Sequence, residues 1–453
     1  MNPQIFREYD IRGLVGTELT LEVVESIGKA YGTYLQEKNI TKVVVVGHDN
    51  RLSSDEVSAN LIKGILSTGC SVHDVGLVTT PLLYFSLFHL NLDGGVMVTG
   101  SHNPPEFNGF KLCQGKTTLH GEQIQEIYQI AQSGCFKQGR GERVQSGVIA
   151  AYKELVKSKV KLARPVKVVI DAGNGTASII APDLLKEMGC EVIELYCQSD
   201  GRFPNHHPDP TVVKNLQDLI AKVKSEKAEL GIAYDGDADR IGAVDENGNV
   251  IWGDKLMIIF SRNILSKHMN ASVIFEVKCS QTLFDDIKQH GGVPIMWKTG
   301  HSLIKKKMKE TGALLAGEMS GHIFFADDYF GYDDAVYASC RLLEIVAQTK
   351  NPVSSLLSGV PNTFVTPEIR VECADADKFQ IIKQLSDYFR LSYNIIDIDG
   401  VRILFENGWG LIRASNTQPV LVLRFEADSE KHLADYQKIV WDKLTEYSSV
   451  KRV

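Results

Sequence analysis

At 453 residues, with 43% hydrophobic and 23% charged side chains, the chain is long enough for several cores and suits roughly three or four domains. Its net charge of −7, with the basic residues dispersed, argues against sequence-independent nucleic-acid binding; an anionic ligand would need local basic pockets. No apolar run approaches the ~18 residues of a membrane span, residues 1–8 lack a signal-peptide pattern, and the 8 cysteines, none in a CxxC, indicate neither zinc nor a disulfide framework, so a cytoplasmic protein is expected.

Apolar residues at Leu19, Val23, Val24, Ile27, Ala30, Tyr31 and Leu35 predict a helix over 19–36. Val43 to Val46 then form a β-branched run, apolar on both faces, as in a buried parallel strand, ending in Gly47-His48-Asp49-Asn50-Arg51. Helical segments at about 54–68 and 120–133 flank a second apolar run, Gly95 to Val98, and the loop Thr99-Gly100-Ser101-His102-Asn103-Pro104-Pro105. This loop reads two ways. It is a polar turn, or it presents a nucleophilic serine to a phosphate whose oxygens are held by His102, Asn103, Asn108 and Lys111.

The pattern of apolar strand, polar or glycine loop and helix recurs at Val166–Ile170 with Asp171-Ala172-Gly173-Asn174-Gly175, and again at Val273–Ser280. It predicts three related α/β units with mostly parallel sheets, whose ligands gather at the carboxyl ends of the strands. Between these runs, Phe203 to Pro210 is a fixed proline loop whose His206 and His207 read as structural. The last segment differs. A hairpin turning at Asp399-Gly400, another around Phe405–Trp409 and a closing helix at about 429–446 predict a small α+β domain. The expected division is 1–148, 149–252, 253–362 and 363–453.

The strongest chemical signal follows the apolar Leu230–Ala233: Asp235-Gly236-Asp237-Ala238-Asp239-Arg240. Alternate carboxylates so close repel unless a cation sits among them, and oxygen-only ligands favour Mg²⁺. A calcium hand would use Asp235, Asp237, Asp239 and Glu246, but Arg240 stands where its glycine is required and the flanks look like strands. Gly317-Glu318-Met319-Ser320-Gly321-His322 pairs an acceptor with a hydroxyl two residues on, which on an extended segment would share a face and suit neighbouring sugar hydroxyls. Arg413-Ala414-Ser415-Asn416-Thr417 and Arg424, around the apolar Val420–Leu423, read as a phosphate cradle or as an arginine-capped hairpin.

Together these motifs, in order along the whole chain, resemble the α-D-phosphohexomutase family, as does Phe6 to Gly13 near the N-terminus. The likeness is to its bacterial phosphomannomutase/phosphoglucomutase branch, because Met319 stands where the glucosamine branch has glutamine; Gly100 stands where alanine is more usual. The resemblance implies three related α/β domains and a smaller fourth around a central cleft. It implies a reversible shift of phosphate between the 1- and 6-positions of a hexose, through a phosphoserine at Ser101 and a hexose 1,6-bisphosphate that is both intermediate and activator. Mg²⁺ would be held by Asp235, Asp237, Asp239 and a phosphoserine oxygen, with Arg240 and Lys111 offsetting charge. Glu318 and Ser320 would hold the 3- and 4-hydroxyls, and Arg413, Ser415, Asn416 and Thr417 the phosphate that is not reacting. Lys278 and Tyr9 match ligand-contact positions; Lys111 and His322, with Arg12 and His301 near, are the proton-transfer candidates. Closure of the last domain on a sugar phosphate is expected, in a monomer or, alternatively, a dimer. The rival readings are a phosphoglucosamine mutase, a Mg²⁺-dependent sugar phosphatase and a sugar-phosphate sensor without turnover.

Overall fold

A computed structural model describes residues 1–416 and 418–451. Among these residues the chain forms four sheets in succession along the sequence. The first three repeat one arrangement. In the first, strands Val43–His48, Ser71–Leu77 and Gly94–Val98 run parallel with Val43–His48 in the middle, and Phe107–Gln114 turns back antiparallel beside Gly94–Val98. The second does the same with Lys167–Asp171 between Glu191–Leu195 and Leu230–Tyr234, and Ile241–Asp245 returning. The third does it with Ser272–Glu276 between Val293–Trp297 and Leu315–Gly317, and Ile323–Phe325 returning. Helices carry the crossovers, such as Ser54–Ser67 and Thr80–His89 in the first unit. Parallel neighbours need such connections, and these cover both faces of the sheet.

That burial explains the unalternating strands. Val44, Val45 and Val46 are all fully buried although they point to opposite faces. At ~1.5–3 kcal/mol for each buried side chain, such a run is stabilised only when both faces are covered. One apolar core runs without a break from Leu82 and Leu83 of the first unit through Ile170 and Ile232 of the second to Phe275 and Leu315 of the third.

The fourth sheet is antiparallel, built chiefly from Val401–Phe405, Gly408–Ala414, Val420–Ala427 and Ile369–Cys373. Residues 397–400 connect Asn394–Ile396 to Val401–Phe405 as a hairpin. One face is apolar, with Val401, Ile403, Ile412, Leu421, Leu423 and Phe425 packed in a core of their own beneath helices Asp375–Arg390 and Glu430–Leu444. Cross-strand neighbours share a face, so Arg402, Leu411 and Arg424 form a row on the opposite face, with Trp409 and Glu426 beside them. That face meets the third unit. No helix among the described residues is long and apolar enough to cross a membrane.

Candidate active site

Because the three α/β units are built alike, the connection from the third parallel strand to the returning strand falls at the same place in each. It lies at the carboxyl end, where open α/β sheets collect ligands. In the first unit that connection carries Ser101, in the second the three aspartates, in the third Glu318 to His322. The tertiary packing brings the three connections together. A Cβ on Gly236 would lie 2.4 Å from the Ser101 carbonyl, so only glycine allows that approach. The backbone N–H of Ile241 donates to Gly321 O at 3.0 Å, and Gly321 adopts φ +94° to make the contact.

Ser101 is buried and holds φ at +49°, a strained value for a residue with a side chain. Asp49 and Arg51 over-determine it. Asp49 Oδ2 accepts from Thr99 Oγ1 at 2.8 Å and from Gly100 N at 3.2 Å. The buried Arg51 guanidinium donates to four loop carbonyls: Ser101 at 2.7 Å, Asn103 at 2.6 Å, Pro104 at 2.6 Å and Phe107 at 3.0 Å. It also bonds Asp49 and packs over the Phe203 ring. A Cβ at Gly100 would lie 2.4 Å from the Arg51 guanidinium carbon, so an alanine there requires this tethered group to move. His207 bonds the His102 carbonyl, and His206 Nε2 lies 3.0 Å from Asp171 Oδ2, so both histidines brace loops.

Ser101 Oγ donates to Asp235 Oδ2 at 3.2 Å. Asp235, Asp237 and Asp239 are fully buried, with one carboxylate oxygen of each within 4.8 Å of the others. Thr80 Oγ1 and Lys111 Nζ donate to Asp237 Oδ2 at 2.6 and 2.8 Å, and Lys111 also bonds Asp239. Asp237 Oδ1 finds no hydrogen-bond partner among the described residues, and Asp239 Oδ1 has only the 3.3 Å approach of His322. Buried lone pairs left open beside a serine hydroxyl suit a small hard cation that also takes a phosphate oxygen. Burial and the neighbouring Asp239 and Asp237 push the Asp235 carboxyl well up; Asp239 stays well down, because Lys111 and His322 outweigh its burial. The strands on either side are antiparallel partners, and Glu246 bonds Ser354 instead, so no calcium hand forms.

The loop after Gly317 is a tight turn, with Gly321 N donating to Glu318 O at 3.0 Å. Glu318 and Ser320 therefore do not alternate along an extended segment. They converge on one histidine nitrogen: His322 Nδ1 lies 2.8 Å from Glu318 Oε2 and 3.0 Å from Ser320 Oγ. Glu318 Oε1 accepts Gly300 N at 2.7 Å. His322 Nε2 faces Asp239 Oδ1 at 3.3 Å. Burial disfavours the imidazolium, but Asp239 and Glu318 raise it to about 9. With both ring nitrogens then donors, the 3.4 Å approach of Arg240 Nε is a contact between cations, one paired with Asp239 and Glu318 and the other 3.9 Å from Asp235 Oδ2. His301, stacked on His322, is kept neutral by burial and by Lys305 and Lys111. Glu318 is held down at about 2, its burial outweighed by His322 and the Gly300 amide.

The matches to known proteins cover all four units. Models described as domains I, II and III (alpha/beta/alpha) and the C-terminal domain of phosphoglucomutase/phosphomannomutase match residues 3–138, 149–248, 252–364 and 368–443. The chain belongs to the phosphoglucomutase/phosphomannomutase family. It is 49% identical over 430 residues to a phosphomannomutase/phosphoglucomutase of Pseudomonas aeruginosa, covering 95% of this chain and 93% of that one. It is 47% identical to a phosphoglucomutase of Neisseria gonorrhoeae, covering 94% and 93%. A crystal structure of a phosphoglucomutase/phosphomannomutase family protein from Burkholderia thailandensis superposes with a TM-score of 0.91 at 43% identity, covering 97% and 96%.

The remaining candidates of this family member line the approach to the three loops. Arg12 bonds Asn103 Oδ1 and Asp10, both at 2.5 Å. Tyr9 touches two other units, donating to Thr299 O at 2.8 Å and accepting from Asn416 Nδ2 at 2.8 Å. Lys278 Nζ lies 3.3 Å from Glu368 and 3.5 Å from Glu276. Arg413 donates to Asp399 Oδ2 at 3.1 Å, and that oxygen also accepts Thr299 N at 3.0 Å. Thr417 lies outside the described residues. Arg424 shares a sheet face with Arg413, yet its charge acts on Cys279 of the third unit. Sequence reasoning missed Asp49, Arg51 and Lys378. The buried Lys378 donates to Ser415 O at 2.6 Å and Gln418 O at 3.1 Å, holding the cradle's backbone from a helix. Only the carbonyl-rich loops opposite Arg51 and Lys378 mark them, and carbonyls leave no trace in a sequence.

Proposed function

We propose that this protein is a phosphohexomutase that interconverts the 1- and 6-phosphates of mannose and glucose through a phosphoserine at Ser101. Four units with breaks near residues 148, 252 and 362 would enclose one cleft. The observation that carries the reading is the Ser101 hydroxyl, 3.2 Å from an aspartate of a buried, partly open carboxylate triad. A sugar-phosphate sensor has no use for such a pairing.

The phosphoryl group passes from Ser101 Oγ to a sugar hydroxyl. The serine P–O bond breaks, a sugar P–O bond forms, and the hydroxyl proton leaves to the protein. The resulting hexose 1,6-bisphosphate turns over and returns its other phosphate to Ser101; added bisphosphate recharges a serine that has lost its phosphate. Asp235, Asp237 and Asp239 would hold Mg²⁺, which offsets charge on the phosphoryl oxygens. Lys111 and Arg240 neutralise the remainder. His322 and Lys111, with His301 and Arg12, are the candidates for proton transfer. Glu318 and Ser320 grip the 3- and 4-hydroxyls. Those sugars differ only at C2, so both fit. Arg413, Ser415, Asn416 and Thr417, with Lys278, Tyr9 and Arg424, hold the distal phosphate and so position the reacting end. One chain supplies every group, which makes the monomer the working unit.

³¹P NMR tests this directly. The protein with Mg²⁺ and a trace of glucose 1,6-bisphosphate should convert mannose 1-phosphate and glucose 1-phosphate to their 6-phosphates. A clear preference for glucosamine 1-phosphate would move the substrate to that sugar, and free phosphate alone would replace the mutase by a phosphatase.

A further inference from the structure

Arg402 stands in the strand Val401–Phe405 on the face of the fourth sheet that meets the third unit, and it is fully buried. Its Nη1 donates to the carbonyls of Val277 at 2.6 Å and Cys279 at 2.8 Å, the residues on either side of Lys278. Its guanidinium carbon sits 3.8 Å from the centre of the Trp409 ring, and Nη2 lies 3.5 Å from Gln281 Oε1. Glu426, from the same face, accepts Gln281 N at 3.1 Å. Two residues of one sheet face, Arg402 and Glu426, thus bond a single loop of another unit, Val277 to Gln281, and a third, Arg424, acts on Cys279 through its charge.

An arginine removed from water is costly, and an apolar side chain such as neighbouring Leu411 would fill the space at less cost. What the guanidinium supplies is a planar cation that stacks on Trp409 and aims the N–H groups of Nη1 at two carbonyls. The loop it holds follows the first strand of its unit, as the Asp49–Arg51 loop follows the first strand of its own. In the first unit the arginine comes from that loop. In the third it comes from a different sheet, whose opposite face has a core of its own while Trp409 and Leu411 on this face join the core of the third unit.

We propose that Arg402 is a positioning residue for Lys278: it fixes the 277–279 backbone to the fourth sheet, so that the lysine is presented to a sugar phosphate only while that sheet is docked. The Lys278 part rests on the mutase reading; the docking part does not.

The test uses the full-length protein with Arg402→Met and Arg402→Lys, read by mutase kinetics and by hydrogen exchange. Loss of two charge-assisted donors should raise KM for mannose 1-phosphate by about tenfold or more with kcat within ~3-fold, and exchange in 276–281 should speed up while that in 99–103 does not. Arg402→Gly should regain a low KM with added guanidinium, which should leave the wild type unchanged. Unaltered KM and exchange in both single variants would overturn the proposal, and so would faster exchange spread evenly through the chain, the mark of general destabilisation. If Arg402→Met does not fold, Arg402→Lys, which keeps the charge but not the planar group stacked on Trp409 that aims Nη1 at both carbonyls, decides alone. A wild type that turns over no sugar phosphate would sink the mutase reading, and exchange at 276–281 would still report whether Arg402 docks the loop.

Discussion

The two ends of the cleft are built on different physics. At the reacting end, Ser101, the three aspartates, Lys111, Glu318 and His322 are all buried, and they come from three units that share one unbroken core. The strained serine is held from below by Arg51 and Asp49. At the proposed gripping end, Arg413, Ser415 and Asn416 ride on a sheet that has a core of its own on one face, while the other face adds Trp409 and Leu411 to the shared core and makes polar contacts such as Asn416 to Tyr9, Asp399 to Thr299 and Arg402 to Val277 and Cys279. Phosphoryl transfer tolerates little misplacement of the attacking atom. Gripping a remote phosphate requires an entrance that opens and closes. A three-part floor on one shared core, and a fourth part that joins it along one face and keeps a core of its own on the other, suit both needs.

Breaking the reacting end should have the largest effect. Ser101→Ala is expected to lower turnover by at least ~10³-fold, while calorimetry still shows sugar-phosphate binding; full activity would remove the phosphoserine. Chelation by EDTA, or Asp237→Asn, should cost ~10²-fold or more, restored for the chelated wild type by Mg²⁺. Arg51→Met should cost ~10-fold or more in kcat, as a strained loop relaxes, with KM little changed. At the gripping end, Arg413→Ala should act on the other constant, raising KM by ~10-fold or more through loss of a charge-assisted phosphate contact. Small-angle scattering should also show compaction with saturating mannose 1-phosphate. Scattering that is the same with and without ligand would erase the contrast between the two ends.

The smallest effect is a pH dependence of stability. His322 sits at about 9 in the folded metal-free protein, above the ~6.5 of an unfolded chain. Its contribution is therefore fully present below ~6.5 and is lost as pH rises through about 9. In EDTA, the Tm difference between wild type and His322→Gln should shrink over that window. A difference constant from pH 6 to 10 would mean that Asp239 and Glu318 do not hold the imidazolium.

Much of this was legible in the residues. The valines of 43–46 report a strand covered on both faces, and Asp235, Asp237 and Asp239 report carboxylates whose mutual repulsion calls for positive charge beside them. The Ser101 and Arg413 loops each carry a bland reading when taken singly. The expected pairing of Glu318 with Ser320 along an extended segment gave way to a tight turn, since Gly321 folds the loop back to reach Ile241. Local pattern therefore determined the elements, the chemistry-bearing loops and their order, because hydrophobic periodicity and side-chain chemistry are written in adjacent residues. Only the tertiary structure decided that three equivalent connections meet at one serine, and that Arg51, Lys378 and Arg402 bind the backbone of the candidate loops. Those arginines and that lysine bind backbone carbonyls, which every residue carries alike, and a sequence cannot say which carbonyl a buried cation will find.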